Sequence, residues 1–283
     1  TPLYSSAASD VYKRQALSKL SDLDITWDSH DLFEGKWIVR SEMPWYLGLK
    51  WLFIGNPLFL PLGLATSVFI FIHTSNIEDS FPIKKILMLV FTFAFPVLYV
   101  IFRGSYLYND TRHILFVVPC ILALSALSFE NLFRILPNKF LKYGFAILVS
   151  LTMLQPLIWM NRNHPHEVAY FSPLIGGTDG AWKKYETDFW GNAVRHAAEW
   201  IHENVPPGDD KNPVKVRIWY GNFLKGSYYI EKKKGYKAMR DYENSPNWDY
   251  YIMQTTAAKN FPDWLTNWPP PGTIHEIKAD NIP

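Results

Sequence analysis

The 283-residue chain, 32.9 kDa, has room for one or two domains with a buried core. Lys and Arg total 28 against 26 Asp and Glu, a formal net charge of +2, which leaves no electrostatic footprint for nucleic acid. The single cysteine, Cys120, excludes an intrachain disulfide and a cysteine-rich zinc site.

The mean hydropathy of −0.07 averages two unlike halves. Residues 44–160 carry only 12 charged residues, and the remaining 166 residues carry 42. So sparse a charge over more than a hundred residues does not suit a water-facing surface. A membrane part followed by a soluble part is therefore expected. Residues 1–15 (TPLYSSAASDVYKRQ) resemble translated library-adapter sequence and lack the apolar stretch of a signal peptide. They are set aside, and the rest is expected to begin inside a longer protein.

Taken in chain order, four apolar runs follow. The first extends from Trp51 to Ile72 without a formal charge; Pro57 and Pro61 near its start predict that regular helix begins near Leu58. The others are Ile86–Phe102, Ile114–Phe129 and Tyr143–Met160, with 17, 16 and 18 residues. Spanning the hydrocarbon core takes about 20 residues, with a range of about 17–25. Snorkelling by Lys85, Arg103, Arg112 and Lys142 would extend the short runs. Pro96, Pro119 and Pro156 lie inside runs, which membrane helices tolerate. The competing reading, buried helices of a soluble protein, lacks the polar stripe of a surface helix. Four crossings return the chain to its starting side. Lys84, Lys85, Arg134, Lys139 and Lys142 on one face outnumber Lys50, Arg103, Arg112 and Arg162 on the other. This bias places the C-terminal part outside the cytoplasm.

Beyond residue 163 the periodicities are those of a small α/β domain. Val194, Ala197, Ala198 and Ile201 form a helical stripe; Val214, Val216, Ile218 and Tyr220 alternate as a strand. Asn222 is placed to cap a short helix through Tyr229, and Tyr250–Met253 and Thr273–Ile277 read as further strands. The expected fold is thus an α-helical polytopic membrane segment of about four transmembrane helices followed by a small extracytoplasmic α/β domain. Its divisions are an outer loop leading into the membrane (16–50), the transmembrane region (51–162) and the soluble domain (163–283), itself expected to be truncated.

Three stretches carry candidate chemistry. In 33–58, Trp45 and Tyr46 suit an interfacial aromatic belt, and Glu42 is placed to orient a sugar hydroxyl. In 108–119, Asp110, Arg112 and His113 crowd the mouth of the third run, where a cation can clamp a phosphate; a snorkelling arginine is the alternative. In 164–191, His164 and His166 are spaced as two metal ligands lacking obvious companions. In the same stretch Glu186 and Asp188 precede a helix whose positive end suits them. The cluster Lys232-Lys233-Lys234 with Lys237 reads as a solvated face. P-loop, G-x-S-x-G, H-E-x-x-H and EF-hand patterns are missing from the sequence.

Together the three stretches resemble polytopic glycosyltransferases of the GT-C class, in the family 39 or aminoarabinose-transferase-like group. Gly35, Val39, Glu42, Pro44, Trp45 and Tyr46 match a stretch ending E-x-P-W-Y-Y, from which Leu47 departs. Leu107, Tyr108, Asp110, Arg112, His113, Leu115, Phe116, Val117 and Pro119 match a loop of the form L-Y-D-G-x-R-H-F-L-F-V-x-P. His164-Pro165, Tyr170-Phe171, Gly176-Gly177, Gly180-Ala181 and Tyr185-Glu186-Thr187-Asp188 match the third and longest; His166, Ser172 and Phe189 depart. The resemblance covers about residues 30–205.

It implies an inverting transferase of the bacterial inner membrane that takes a sugar from a polyprenyl-phosphate-linked donor to an outer acceptor. Membrane lipid and that donor are the implied partners, with no nucleic acid; a divalent metal cofactor stays open. The family's catalytic Asp belongs to a first outer loop that this sequence does not contain, so the fragment is expected to be inactive alone. Glu42, Trp45, Tyr46, Asp110, Arg112 and His113 are the implied substrate-binding set, with His164 and Asp188 as further candidates. The alternative is a non-catalytic polytopic membrane protein, either a transporter piece or an anchored binding module. No internal repeat supports a transporter.

Overall fold

The computed structural model describes residues 15, 30–73, 83–104, 107, 111–188, 191–219, 222–240, 247–260, 263 and 266–283. Asp110, Tyr108 and Asn109 lie outside them.

An antiparallel hairpin comes first, β1 (His30–Phe33) and β2 (Lys36–Val39). Its two turn residues, Glu34 and Gly35, both have positive φ (53° and 80°), as a tight two-residue hairpin turn needs. A 3-10 turn (Arg40–Glu42) leads to α1 (Leu47–Ile54). The chain then breaks at Gly55-Asn56-Pro57 and bends by 109° into α2 (Phe59–His73). Regular helix does start beside Leu58, where Pro57 has no amide hydrogen to give. The apolar residues before it form a separate short helix that crosses α2 at this angle.

Three longer helices follow: α3 (Ile83–Arg103), α4 (Val118–Ile135, preceded by a 3-10 turn at Leu115–Val117) and α5 (Lys139–Asn163). All three are long and apolar enough to cross a membrane, and the bent pair α1–α2 makes a fourth if counted as one span. They run past the charges that bound the apolar runs. At 1.5 Å per residue, about 20 residues suffice for ~30 Å of hydrocarbon. The third run extends to Ile135 because Glu130 and Arg134 pair across one helical turn at 2.5 Å. Apolar surface covers these helices: 6% of the Ile86–Arg103 span and 11% of Lys139–Asn163 is buried. Bare apolar faces of this extent are foreign to a monomer in water and ordinary in lipid.

The tightest contact joins α2 to α4 through small polar residues. The Ser67 and Ser128 hydroxyls meet at 2.5 Å, while Thr66, Ser125 and Ser128 also bond back to carbonyls of their own helices. A Cβ on Gly63 would stand 2.1 Å from the Ser125 side chain. Lipid tails supply no hydrophobic drive between helices, so close backbone approach at small residues is what holds such a pair.

The C-terminal domain begins with two 3-10 turns (Glu167–Ala169 and Pro173–Ile175) and α6 (Gly177–Ala181). It continues with α7 (Val194–Asn204), β3 (Val214–Ile218), α8 (Phe223–Ile230), β4 (Tyr236–Arg240) and β5 (Tyr250–Ile252). The strands are parallel in the order β4-β3-β5. Val194, Ala198, Ile201, Val216, Ile218 and Ile230 form its core.

Four expectations change here. Thr273–Ile277 joins no sheet: Ile274 is exposed, while His275 stacks on Trp200 (4.6 Å) and Glu276 accepts from the Trp268 indole (2.7 Å). Asn222 precedes α8 without a side-chain cap bond, and its amide nitrogen donates to Gln254. Asp188 does not serve the positive end of α7, whose flanking residue is Ala193; it is held by Gln254. His164 and His166 turn to different partners, the first to Glu167 and the second to His196. The tail then closes on the end of α5. Trp159 and Asn163 donate to the Asp280 carboxylate, and the Asp280 amide donates back to Asn163.

Gly63→Ala is expected to destabilise the folded chain in detergent by about 1–3 kcal/mol, the usual cost of overpacking. Ser125→Gly in the same chain should recover part of it. A Gly63→Ala variant that melts like the parent would sink the close-contact argument.

Candidate functional site at the membrane rim

The three candidate stretches, far apart in sequence, meet at one end of the helical part. Their meeting point is an aromatic cluster of Phe33 from β1, Trp51 from α1, and Phe171 and Tyr185 from the C-terminal segment. Ring centroids stand 5.6–6.0 Å apart for Trp51–Phe171 and Phe171–Tyr185. Phe33 and Trp51 each meet Tyr185 at 5.7 Å. Backbone bonds stitch the seam: the Gly35 amide donates to Lys184 (3.0 Å) and the Ser172 amide to Ile54 (2.7 Å). The middle stretch is drawn in by Leu107 and Ile114, which press on Gly48 of α1; a Cβ there would lie 2.9 Å from Leu107.

This packing assembles cations. Arg40 is held by a bidentate pair with the buried Asp31 (2.9 and 3.0 Å). Arg112 and His113 are exposed on the turn before α4, anchored by the buried Ile114. Burial first, then the charges of Arg112 and Arg40, hold the His113 imidazole below its ordinary pKa. Two guanidinium groups from separate stretches therefore act on one histidine, which is predominantly neutral at pH 7 and able to donate one hydrogen bond. Glu42, exposed, shares the 3-10 turn with Arg40. Trp45 is 67% exposed and sets its ring edge-on to Tyr46 (5.7 Å), as an interfacial aromatic does.

Tyr46 is engaged differently. Its hydroxyl donates to Glu34 (3.2 Å), which also pairs with Lys50. The Lys50 ammonium lies over the rings of Phe33, Tyr46 and Tyr185 at 5.5–6.0 Å. Glu34 carries no signal in the sequence, and Lys50 and Tyr185, legible there as a flanking charge and a motif residue, give no sign that they meet. The one local signal was Tyr46 and Lys50 at i, i+4 on an otherwise apolar helix.

A largely apolar cleft of about 290 Å³ lies between α1 and α5, lined by Trp51, Gly55, Pro57, Pro156, Met160 and Tyr170, with Glu167 as the one charged residue on its wall. Gly55 approaches the middle stretch, since a Cβ on it would touch Thr111, the neighbour of Arg112, at 3.8 Å. The remaining candidates go elsewhere. His164 is exposed in a local pair with Glu167 (2.5 Å). Asp188 lies in the C-terminal domain, where burial pushes its carboxyl up to about 6 against the bonds from Gln254 and Thr255. Among the described residues no group of three His, Cys, Asp or Glu could hold a metal ion.

In a pH titration by NMR, His113 should titrate below the usual ~6.5. Arg112→Gln should move it part of the way back, since burial and Arg40 remain. The depressed value favours the folded state above ~6.5, so this contribution to stability falls on acidification. An unshifted His113 in the Arg112→Gln chain would mean that the two groups do not share a site. Family models, characterised proteins and solved structures all fail to match the chain, so its own geometry carries the functional reading.

Proposed function

We propose that the chain is part of an integral-membrane glycosyltransferase of the bacterial inner membrane that moves a sugar from a polyprenyl-phosphate-linked donor to an acceptor outside the cytoplasm. One observation supports this above the others: Arg40 and Arg112, from separate stretches, both act on His113 at the mouth of a long apolar helix. A lipid-linked phosphate has the complementary form, an anionic head on a hydrocarbon chain, and it gains a second charge as the sugar leaves.

In the reaction, the acceptor hydroxyl attacks the anomeric carbon as the bond to the donor phosphate breaks. The hydroxyl proton passes to a carboxylate that the family resemblance assigns to an earlier outer loop. Negative charge grows on the departing phosphate, so cations fixed there in advance lower the barrier. Arg40 is fixed by Asp31, and Arg112 is exposed to meet the head. Neutral His113 donates a further hydrogen bond. Glu42, on the same turn as Arg40, is placed to orient a sugar hydroxyl, and Trp45 to rest in the headgroup layer.

The second reading, an anchored binding module without catalysis, draws on the large cavity of the C-terminal domain. The two part at the rim. With the chain in lipid nanodiscs, a fluorescent polyprenyl phosphate should bind. Arg112→Ala should weaken binding about tenfold or more, as loss of a charge-assisted hydrogen bond does, while Lys233→Ala should not. Equal behaviour of the two variants would overturn the assignment.

A further inference from the structure

The strand order β4-β3-β5 creates a crevice of its own. From β3 the chain passes through α8 to β4 on one side, while β5 lies on the other. The carboxyl ends of β3 and β5 thus mark a switch in the strand order. In open parallel sheets, ligands bind at such a switch point. Here it opens into a cavity of about 750 Å³, within the range of small-molecule sites. Trp219, directly after β3, and Gln254, two residues after β5, stand on its wall.

The polar part of this wall is built and incompletely used. Asn222 donates to the Gln254 carbonyl oxygen (2.5 Å), which turns the Gln254 amide nitrogen to Asp188 (3.2 Å). The carboxylate oxygens keep acceptor capacity beyond that bond. Thr187 is 3% exposed, yet its hydroxyl meets no partner, and neither does the side-chain nitrogen of Asn192. Both residues line the cavity. Buried polar atoms are nearly always satisfied, so two orphans on one cavity wall point to a ligand that satisfies them. The apolar part of the wall is aromatic, with Trp219 and Trp248. A neutral sugar presents this combination in complement: hydroxyls on its edge that both donate and accept, and flat C–H faces that rest on the negative face of an indole. Carboxylates (Asp188, Asp249, Glu276) and cations (Arg217, Lys278) share the wall and nearly offset one another, so it selects no one sign of charge.

We propose that this cavity binds a neutral mono- or disaccharide unit, hydrogen-bonded by Thr187, Asp188, Asn192 and Gln254 and stacked on Trp219 and Trp248. The site is separate from the cationic rim and does not depend on the donor reading.

The test is calorimetric titration of the full chain in nanodiscs with maltose, cellobiose, N,N′-diacetylchitobiose and their methyl monoglycosides. At least one should bind. Thr187→Val removes an atom that no protein group uses, so the variant should fold as the parent does and lose about tenfold or more in affinity. Asp188→Asn should weaken the same sugar to a similar degree, and Arg112→Ala should leave it unchanged. The proposal fails if no sugar of the panel binds. It fails equally if Thr187→Val and Asp188→Asn bind like the parent, or if Arg112→Ala abolishes binding. The donor reading rests on polyprenyl phosphate binding and stands or falls apart from these outcomes.

Discussion

The packing of Trp51 against Phe33, Phe171 and Tyr185 is the constraint from which the rim follows. α1 has eight residues, apolar but for Lys50, and is too short to hold its helix alone in water. It persists because hairpin, helix and C-terminal segment bury one another's rings. At roughly 25 cal/mol per Å² of apolar surface, each buried aromatic contributes a few kcal/mol. Once α1 is fixed across the start of α2, the hairpin must bring Arg40 alongside, and Gly48 must receive Leu107 and Ile114. The cations are thus placed by hydrophobic contacts, which bear their mutual repulsion.

The helical part obeys a different rule. α2 and α4 approach through glycine, serine and threonine, whereas α3 and α5 keep broad apolar faces. In water the large side chains would be inside and the hydroxyls outside. The inversion makes sense where the surroundings are as apolar as leucine and only backbone approach and hydrogen bonding distinguish one helix face from another. The C-terminal domain, by contrast, has an ordinary apolar core, and it is tied to the end of α5 through Asp280, Trp159 and Asn163.

The segment 164–188 serves both parts. Phe171 and Tyr185 belong to the rim cluster, while His166 and Asp188 face the cavity of the C-terminal domain. The two sites differ in character. The rim gathers guanidinium groups and suits an anion; the cavity offers amides, a carboxylate and indoles. A chain that handles a charged lipid-linked sugar at one place and a neutral glycan at another would use such a division.

What was legible from sequence is what local chemistry dictates. Charge-poor runs announced the long helices, and the stripes of Val194, Ala198 and Ile201 and of Val216 and Ile218 announced α7 and β3, because burial repeats with the period of the element. The alternation at Thr273–Ile277 misled because a strand also needs backbone pairing with a neighbour, which a periodicity cannot supply. Arg112 and His113 were visible as ions at a helix mouth, but Arg40 joined them only through the tertiary fold. Glu34, Lys50 and Tyr185, and likewise Asn222, Gln254 and Asp188, become partners only when segments distant in the chain are brought together. Composition and period thus determined which elements form. The packing of Trp51 and the strand order that sets β3 beside β5 decided which side chains meet, because contact depends on distance in space and not along the chain.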